Sequence, residues 1–160
     1  AKGHALDRVV ALLLDAGHED FLVDLGGELA SRGRHPSGRR WKVGIENPLP
    51  GSEKLAGALH LDGSAVATSG DRANGYDVGA RRYSHIIDPA TGEPVESNLA
   101  SVSVLMPTGT EADGWSTALM AAGAAGPVLA GRHGISALFL FRGSHRPDRV
   151  ATGSFNQHLA

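Results

Sequence analysis

A chain of 160 residues with 15 Lys and Arg against 17 Asp and Glu, and 41% hydrophobic residues, has the composition of one folded domain and excludes a disordered tail. Its longest apolar runs, residues 9–14 and 137–141, fall far short of the ~20 residues of a membrane-spanning helix, and its scattered basic residues, at a net charge of −2, give no cationic face for nucleic acid. Cysteine is missing, which removes disulfides, thiolate metal sites and thiol nucleophiles, so histidine, carboxylates and hydroxyls must carry any chemistry.

The chain opens Ala1-Lys2-Gly3 without an initiator Met, as a fragment or a processed chain would. Leu6, Val9, Val10, Leu13 and Leu14 then recur at helical spacing behind Asp7, Arg8 and Asp15, and Gly17 stands where a helix would stop, so residues 4–16 read as an amphipathic helix. Residues 21–25 are a short apolar strand entering Gly26-Gly27, a pair that brings backbone close to a ligand or to another strand. The basic stretch 32–40 reads as a loop, and residues 41–45 alternate as a strand.

Residues 55–61 and 64–68 flank Asp62-Gly63, which suggests a hairpin, and residues 76–78 and 82–87 suggest another. Residues 100–106 alternate like a half-buried strand that Pro107 ends. A helix over 110–122 follows, with Thr110 and Asp113 spaced as an acidic capping box, then a short helix over 127–131 that begins at Pro. Residues 135–141 form an apolar strand that 149–152 can pair with across the turn at 143–147. Helix, antiparallel strands, helices and final strands in that order point to an α+β fold.

Three constellations bear chemistry. On the second helix, Asp113, Ser116 and Thr117 are three and four residues apart and project from one face; such hard oxygens suit Mg²⁺ or Ca²⁺, although an Asp near a helix start also serves as a cap. In the run Tyr83-Ser84-His85-Ile86-Ile87-Asp88, His85 alternates with Tyr83 and Ile87. It is either a general base near neutral pH or a structural imidazole oriented by Asp88. Ala67-Thr68-Ser69-Gly70-Asp71 breaks from a strand into small polar residues, and offers backbone N–H groups to an anion or a flavin edge, or simply a turn. No histidine pair has zinc-motif spacing, and GxGxxG, GxxxxGK[ST] and GxSxG are all missing.

Six blocks taken in order resemble one family. They are Ala-Lys-Gly-His-Ala-Leu-Asp from Ala1, Asp-Leu-Gly-Gly-Glu from Asp24, Trp-Lys-Val-Gly-Ile from Trp41, Ala-Thr-Ser-Gly-Asp from Ala67, Tyr-Ser-His-Ile-Ile-Asp-Pro from Tyr83 and Pro-Thr-Gly-Thr-Glu-Ala-Asp from Pro107. Together they resemble the ApbE family of FAD:protein FMN transferases across nearly the whole chain. The resemblance implies an α+β, T-fold-like ApbE domain, of which residues 1–160 would be the C-terminal part. It implies a Mg²⁺-dependent reaction that splits the FAD diphosphate, transfers FMN to a Thr or Ser hydroxyl of a target protein and releases AMP.

By position, Asp113 and Thr117 fall on the family's metal ligands and Ser116 on a further metal contact. His85 falls on the histidine that activates the acceptor hydroxyl, Ile86 on a residue packed on the flavin, and Lys2 on a flavin-nucleotide contact. The resemblance further implies an acceptor that is a flavin-bearing subunit of a membrane redox complex, and a periplasmic or membrane-anchored location. Gly-Gly-Glu at Gly26 departs from the family's usual Gly-Gly-Asp, and Arg72-Ala73-Asn74-Gly75 replaces an aromatic-containing stretch. A Mg²⁺-dependent FAD pyrophosphatase and a non-catalytic flavin-binding module are the competing readings.

Overall fold

The computed structural model describes all residues except 50, 52, 53, 72–74, 80, 144 and 145. Its frame is a six-stranded antiparallel sheet in the order β1 (Phe21–Leu25), β2 (Glu28–Arg32), β5 (Ala65–Gly70), β8 (Leu99–Met106), β9 (Ser136–Phe141), β10 (Asp148–Thr152). Two further hairpins stand apart, one of β3 (Trp41–Glu46) with β4 (Leu55–Leu61) and one of β6 (Tyr76–Val78) with β7 (Arg81–Tyr83). Helices α1 (Lys2–Asp15), α2 (Gly109–Ala121) and α3 (Gly126–Arg132) pack on the main sheet, and a short α4 (Phe155–His158) closes the chain. The α+β, antiparallel expectation is met.

The period-2 alternation of the strands sorts their side chains into two layers. On one face Val102, Val104, Ala137 and Phe139 meet Leu119 and Met120 of α2, while Ala30 and Ala65 meet Leu6 and Val10 of α1. On the other, Val66, Leu105, Leu138 and Leu140 meet Val43, Ile45, Leu59 and Leu61 of the β3–β4 hairpin and Phe155 of α4. The sheet is therefore sandwiched between helices and a hairpin.

Several expectations change here. The Asp62-Gly63 turn joins no hairpin: β4 pairs with β3, while β5 pairs with β2 and β8. The cause is burial on both sides of β5, whose Ala65, Val66 and Ala67 are at most 3% exposed, so the chain crosses layers at the turn to seat β5 in the middle of the sheet. Strand β8 is buried along both faces for the same reason, not half-buried. Gly26-Gly27 turns out to be a two-residue hairpin loop: both φ are positive, at 64° and 98°, and Leu25 pairs with Glu28, which opens the unforeseen strand β2. The second helix is capped by Thr108, not Thr110. Thr108 Oγ1 accepts from Glu111 N–H at 3.2 Å and donates to Glu111 Oε2 at 2.8 Å.

Candidate functional site

The site begins where two helices touch. In α1, Gly3 is buried against Gly109 at the start of α2, so closely that a Cβ at Gly3 would lie 2.1 Å from the Gly109 carbonyl oxygen. Glycine at both places lets the backbones meet. That contact brings Gly3 N–H to Asp113 Oδ2 at 2.9 Å. Burial pushes the Asp113 carboxyl up, and the Gly3 hydrogen bond and the charge of Lys2 draw it back down.

From the other helix, Asp7 answers. Its carboxylate accepts from Gly109 N–H at 2.6 Å, Thr110 N–H at 2.8 Å and Thr110 Oγ1–H at 2.5 Å, serving first-turn N–H groups that have no partner within the helix. Burial raises the Asp7 carboxyl, and the Thr110 and Gly109 hydrogen bonds with the charge of His4 outweigh it, leaving the carboxyl below its usual value.

One turn along α2 from Asp113, Thr117 lies over the end of β5, where Ser69 projects toward the helix. Ser69 Oγ is 2.9 Å from Ser116 Oγ and 3.3 Å from Thr117 Oγ1. Ser116, 1% exposed, also donates to the Asp113 carbonyl at 3.1 Å, so its hydroxyl is turned inward and occupied, whereas Thr117 is exposed. Among the described residues no three His, Asp or Glu side chains are grouped to hold a metal. The donors at this place are therefore one carboxylate and the hydroxyls beside it. Such a set fits a hard cation that keeps waters and phosphate oxygens as its other ligands.

Lys2 points toward the β1–β2 turn. Its Nζ donates to Gly26 O at 3.2 Å and pairs with Glu28 Oε2 at 2.7 Å, a carboxylate that is only 4% exposed on its side chain. The Lys2 stem also edges a cleft of about 760 Å³ between the sheet and the β3–β4 hairpin. The cleft has a hydroxyl floor of Thr68, Ser101 and Ser103, with Thr68 Oγ1 2.8 Å from Ser103 Oγ, and apolar walls from Val43, Ile45, Leu55 and Leu59.

His85 is not on a strand. β7 ends at Tyr83, and the buried Ser84 turns its Oγ back to accept Ile86 N–H at 3.1 Å, which breaks the alternation and leaves His85 exposed. Asp88 does not orient it: Asp88 Oδ1 accepts from Ala90 N–H at 2.8 Å within its own turn. Ile86 is half-buried against the α2-side core, and its carbonyl accepts from Val95 N–H at 2.9 Å. Among the described residues no hydrogen bond or ion pair ties His85 or Ile86 to the Asp113 group. Within residues 67–71, Thr68 and Gly70 line the cleft, while the buried Asp71 is held bidentately by Arg142, which further binds the carbonyls of Ser97 and Leu99 at 3.3 and 3.2 Å.

Sequence reasoning missed Ser69 as a partner of the α2 hydroxyls, Asp7 as a clamp, and Glu28 as the counter-ion of Lys2. Asp7 carried a signal in its place on the polar side of α1. Glu28 and Ser69 had none without knowledge of strand pairing.

The start of α2 thus places one carboxylate and three neighbouring hydroxyls in an antiparallel α+β domain, near a lysine held by a buried glutamate. The ApbE family model matches residues 1–139, and the chain belongs to the ApbE family. It is 41% identical over 122 residues to the FAD:protein FMN transferase of Salmonella typhimurium, covering 76% of this chain and 35% of that one. It is 34% identical to the enzyme of that name from Vibrio cholerae over 161 residues, covering 100% of this chain and 48% of the other. The fold matches the apo crystal structure of Pseudomonas stutzeri flavinyl transferase ApbE with a TM-score of 0.85 at 39% identity, over 99% of this chain and 49% of that one. It matches the flavin transferase ApbE of Vibrio cholerae with a TM-score of 0.86 at 34% identity, over 99% of this chain and 50% of the other. The chain thus spans about half the length, or less, of these relatives.

Proposed function

We propose that this chain carries the metal and base side of an FAD:protein FMN transferase, in which Asp113 and Thr117 hold Mg²⁺. The observation that carries the reading is the placement of Asp113 and Thr117 one turn apart on α2, with Asp113 against Gly3 N–H and Thr117 beside the Ser69–Ser116 pair, in a chain whose relatives are named for that reaction. When bound, Mg²⁺ would screen the diphosphate charge and stabilise the leaving AMP.

The protein's own residues do the rest. Gly3 N–H fixes one oxygen of Asp113, and Ser116, by binding Ser69 and the Asp113 carbonyl, anchors the helix turn that presents Thr117. Lys2, steadied by buried Glu28, places a cation where the nucleotide would lie. The exposed His85 is open to a protein partner, and it accepts the proton of an acceptor Thr or Ser as that oxygen bonds to the FMN phosphorus and the bond to AMP breaks. Ile86, packed into the core, anchors the loop that carries His85 and offers an apolar edge to the flavin. The acceptor is a protein with a flavinylation Thr or Ser, of the kind found in subunits of membrane redox complexes, and the site of action is periplasmic or at the membrane.

The test is to incubate the intact protein with FAD, Mg²⁺ and a Thr-containing acceptor peptide and to follow covalent FMN and AMP by mass spectrometry. Both products should form, Asp113→Ala should abolish them, and His85→Gly should lower the rate by ~10²–10⁴-fold. Absence of both products refutes the reading, and free FMN without acceptor assigns the site to FAD hydrolysis.

A further inference from the structure

The two helices that build the cation cradle are joined by a reciprocal clasp. Helix α1 sends the Gly3 N–H to Asp113 on α2, and α2 sends its Gly109 and Thr110 N–H groups to Asp7 on α1. Between the two sets of bonds the backbones touch at Gly3 and Gly109, so neither helix can slide without breaking bonds at both ends. Asp7 lies on the polar side of α1, one turn after Gly3, and among the described residues its hydrogen bonds go to Gly109 and Thr110, not to Asp113, Ser116 or Thr117.

We propose that Asp7 is a positioning residue for the cation site: by pinning the start of α2 to α1, it holds the Asp113 carboxylate under the Gly3 N–H in the orientation that binds the metal. This inference rests on the reading of Asp113 as a metal ligand. All three partners of Asp7 are donors, so an amide nitrogen in place of either carboxylate oxygen faces a donor. Asp7→Asn therefore opens the clasp while keeping the side chain's shape. Partners that orient a ligand without touching the metal commonly alter affinity by about 10–100-fold, and the effect expected here is about tenfold.

The experiment measures Mn²⁺ binding to the intact protein by electron paramagnetic resonance, without FAD, for wild type, Asp7→Asn and Leu140→Ala. Leu140 lies in the core on the opposite face of the sheet, outside the cleft, so Leu140→Ala loosens the fold without touching the clasp. The expected result is a Kd for Mn²⁺ about tenfold weaker in Asp7→Asn and unchanged in Leu140→Ala, persisting at about 0.5 M salt, where a merely electrostatic influence of the lost charge is screened. Wild type that binds Mn²⁺ with Asp7→Asn binding equally well overturns this inference alone. An effect shared by Leu140→Ala, or one that vanishes in salt, overturns it too. Failure of wild type to bind Mn²⁺ overturns the metal reading of Asp113 and this inference with it.

Discussion

Substituting one glycine by alanine at two places in the helical layer should move stability in opposite directions. At Gly3 the new Cβ would lie 2.1 Å from the Gly109 carbonyl oxygen and 2.6 Å from both the Gly109 carbonyl carbon and Asp113 Cβ, atoms fixed in a helix. No flexible side-chain end is available to yield, so α1 must lift from α2 by roughly 1 Å, an overpacking that costs about 1–3 kcal/mol. The lift also stretches the Gly3 to Asp113 hydrogen bond, worth about 1 kcal/mol. Against this, alanine gains at most about 1 kcal/mol in helix propensity, so the net loss is about 2 kcal/mol. At Gly114, in the middle of α2, a Cβ meets nothing within 4 Å, and Gly114→Ala should gain about 0.5–1 kcal/mol. Urea unfolding followed by far-ultraviolet circular dichroism reads both. A Gly3→Ala variant as stable as wild type would refute the close helix crossing, and with it the account of how Asp113 is held.

Three further outcomes follow from the same contacts. Arg142→Ala removes a charge partner of the buried Asp71 and the donor to the Ser97 and Leu99 carbonyls, and should cost about 2 kcal/mol in urea unfolding. Thr108→Ala deletes the cap of α2 and should cost about 1 kcal/mol, measured in the same way. Because the folded Asp7 carboxyl sits below its ordinary value of 3.8, its stabilisation is complete above that pH and is lost as pH falls through the folded value. The stability gap between wild type and Asp7→Asn, measured by urea titration, should therefore be constant from pH 7 to about 5 and shrink below about pH 4.

What was legible in the sequence was what local periodicity controls. The helical spacing of Leu6 and Val10, the alternation of Val43 and Ile45 and the apolar run at β9 all gave elements close to those observed. Pairing was not legible, because a turn such as Asp62-Gly63 carries the same local signal whether the strands beside it join each other or different layers. What decides is the size of residues on both faces of β5, a property of the assembled sheet. The same limit applies at the site. Asp113, Ser116 and Thr117 were found by helix spacing within one element, whereas Ser69, Asp7 and Glu28 reach their partners from elsewhere in the chain. The alternation in the sequence continues past Tyr83 and predicts His85 on a strand; the Ser84 hydroxyl, accepting from Ile86 N–H, ends the strand before it.

The register of β5 links the two faces of the molecule. Ala65, Ala67 and Ser69 face the helices, and Val66, Thr68 and Gly70 face the hairpin and its cleft. The last turn of this strand thus gives a hydroxyl to the α2 cradle and, one residue away on either side, lines the cleft. A slip of one residue would put Val66 under α1, where only Ala65 fits, and would withdraw Ser69 from Ser116 and Thr117. The small residues on the helix side are therefore as much a part of the site as its oxygens. Ala65 and Ala67 let the helices approach the sheet, and that approach brings the α2 hydroxyls within reach of Ser69 at 2.9 and 3.3 Å. An enlarged residue at Ala67, as in Ala67→Val, would press on the helix layer first and reach the cradle through it, leaving the cleft residues on the far face in place.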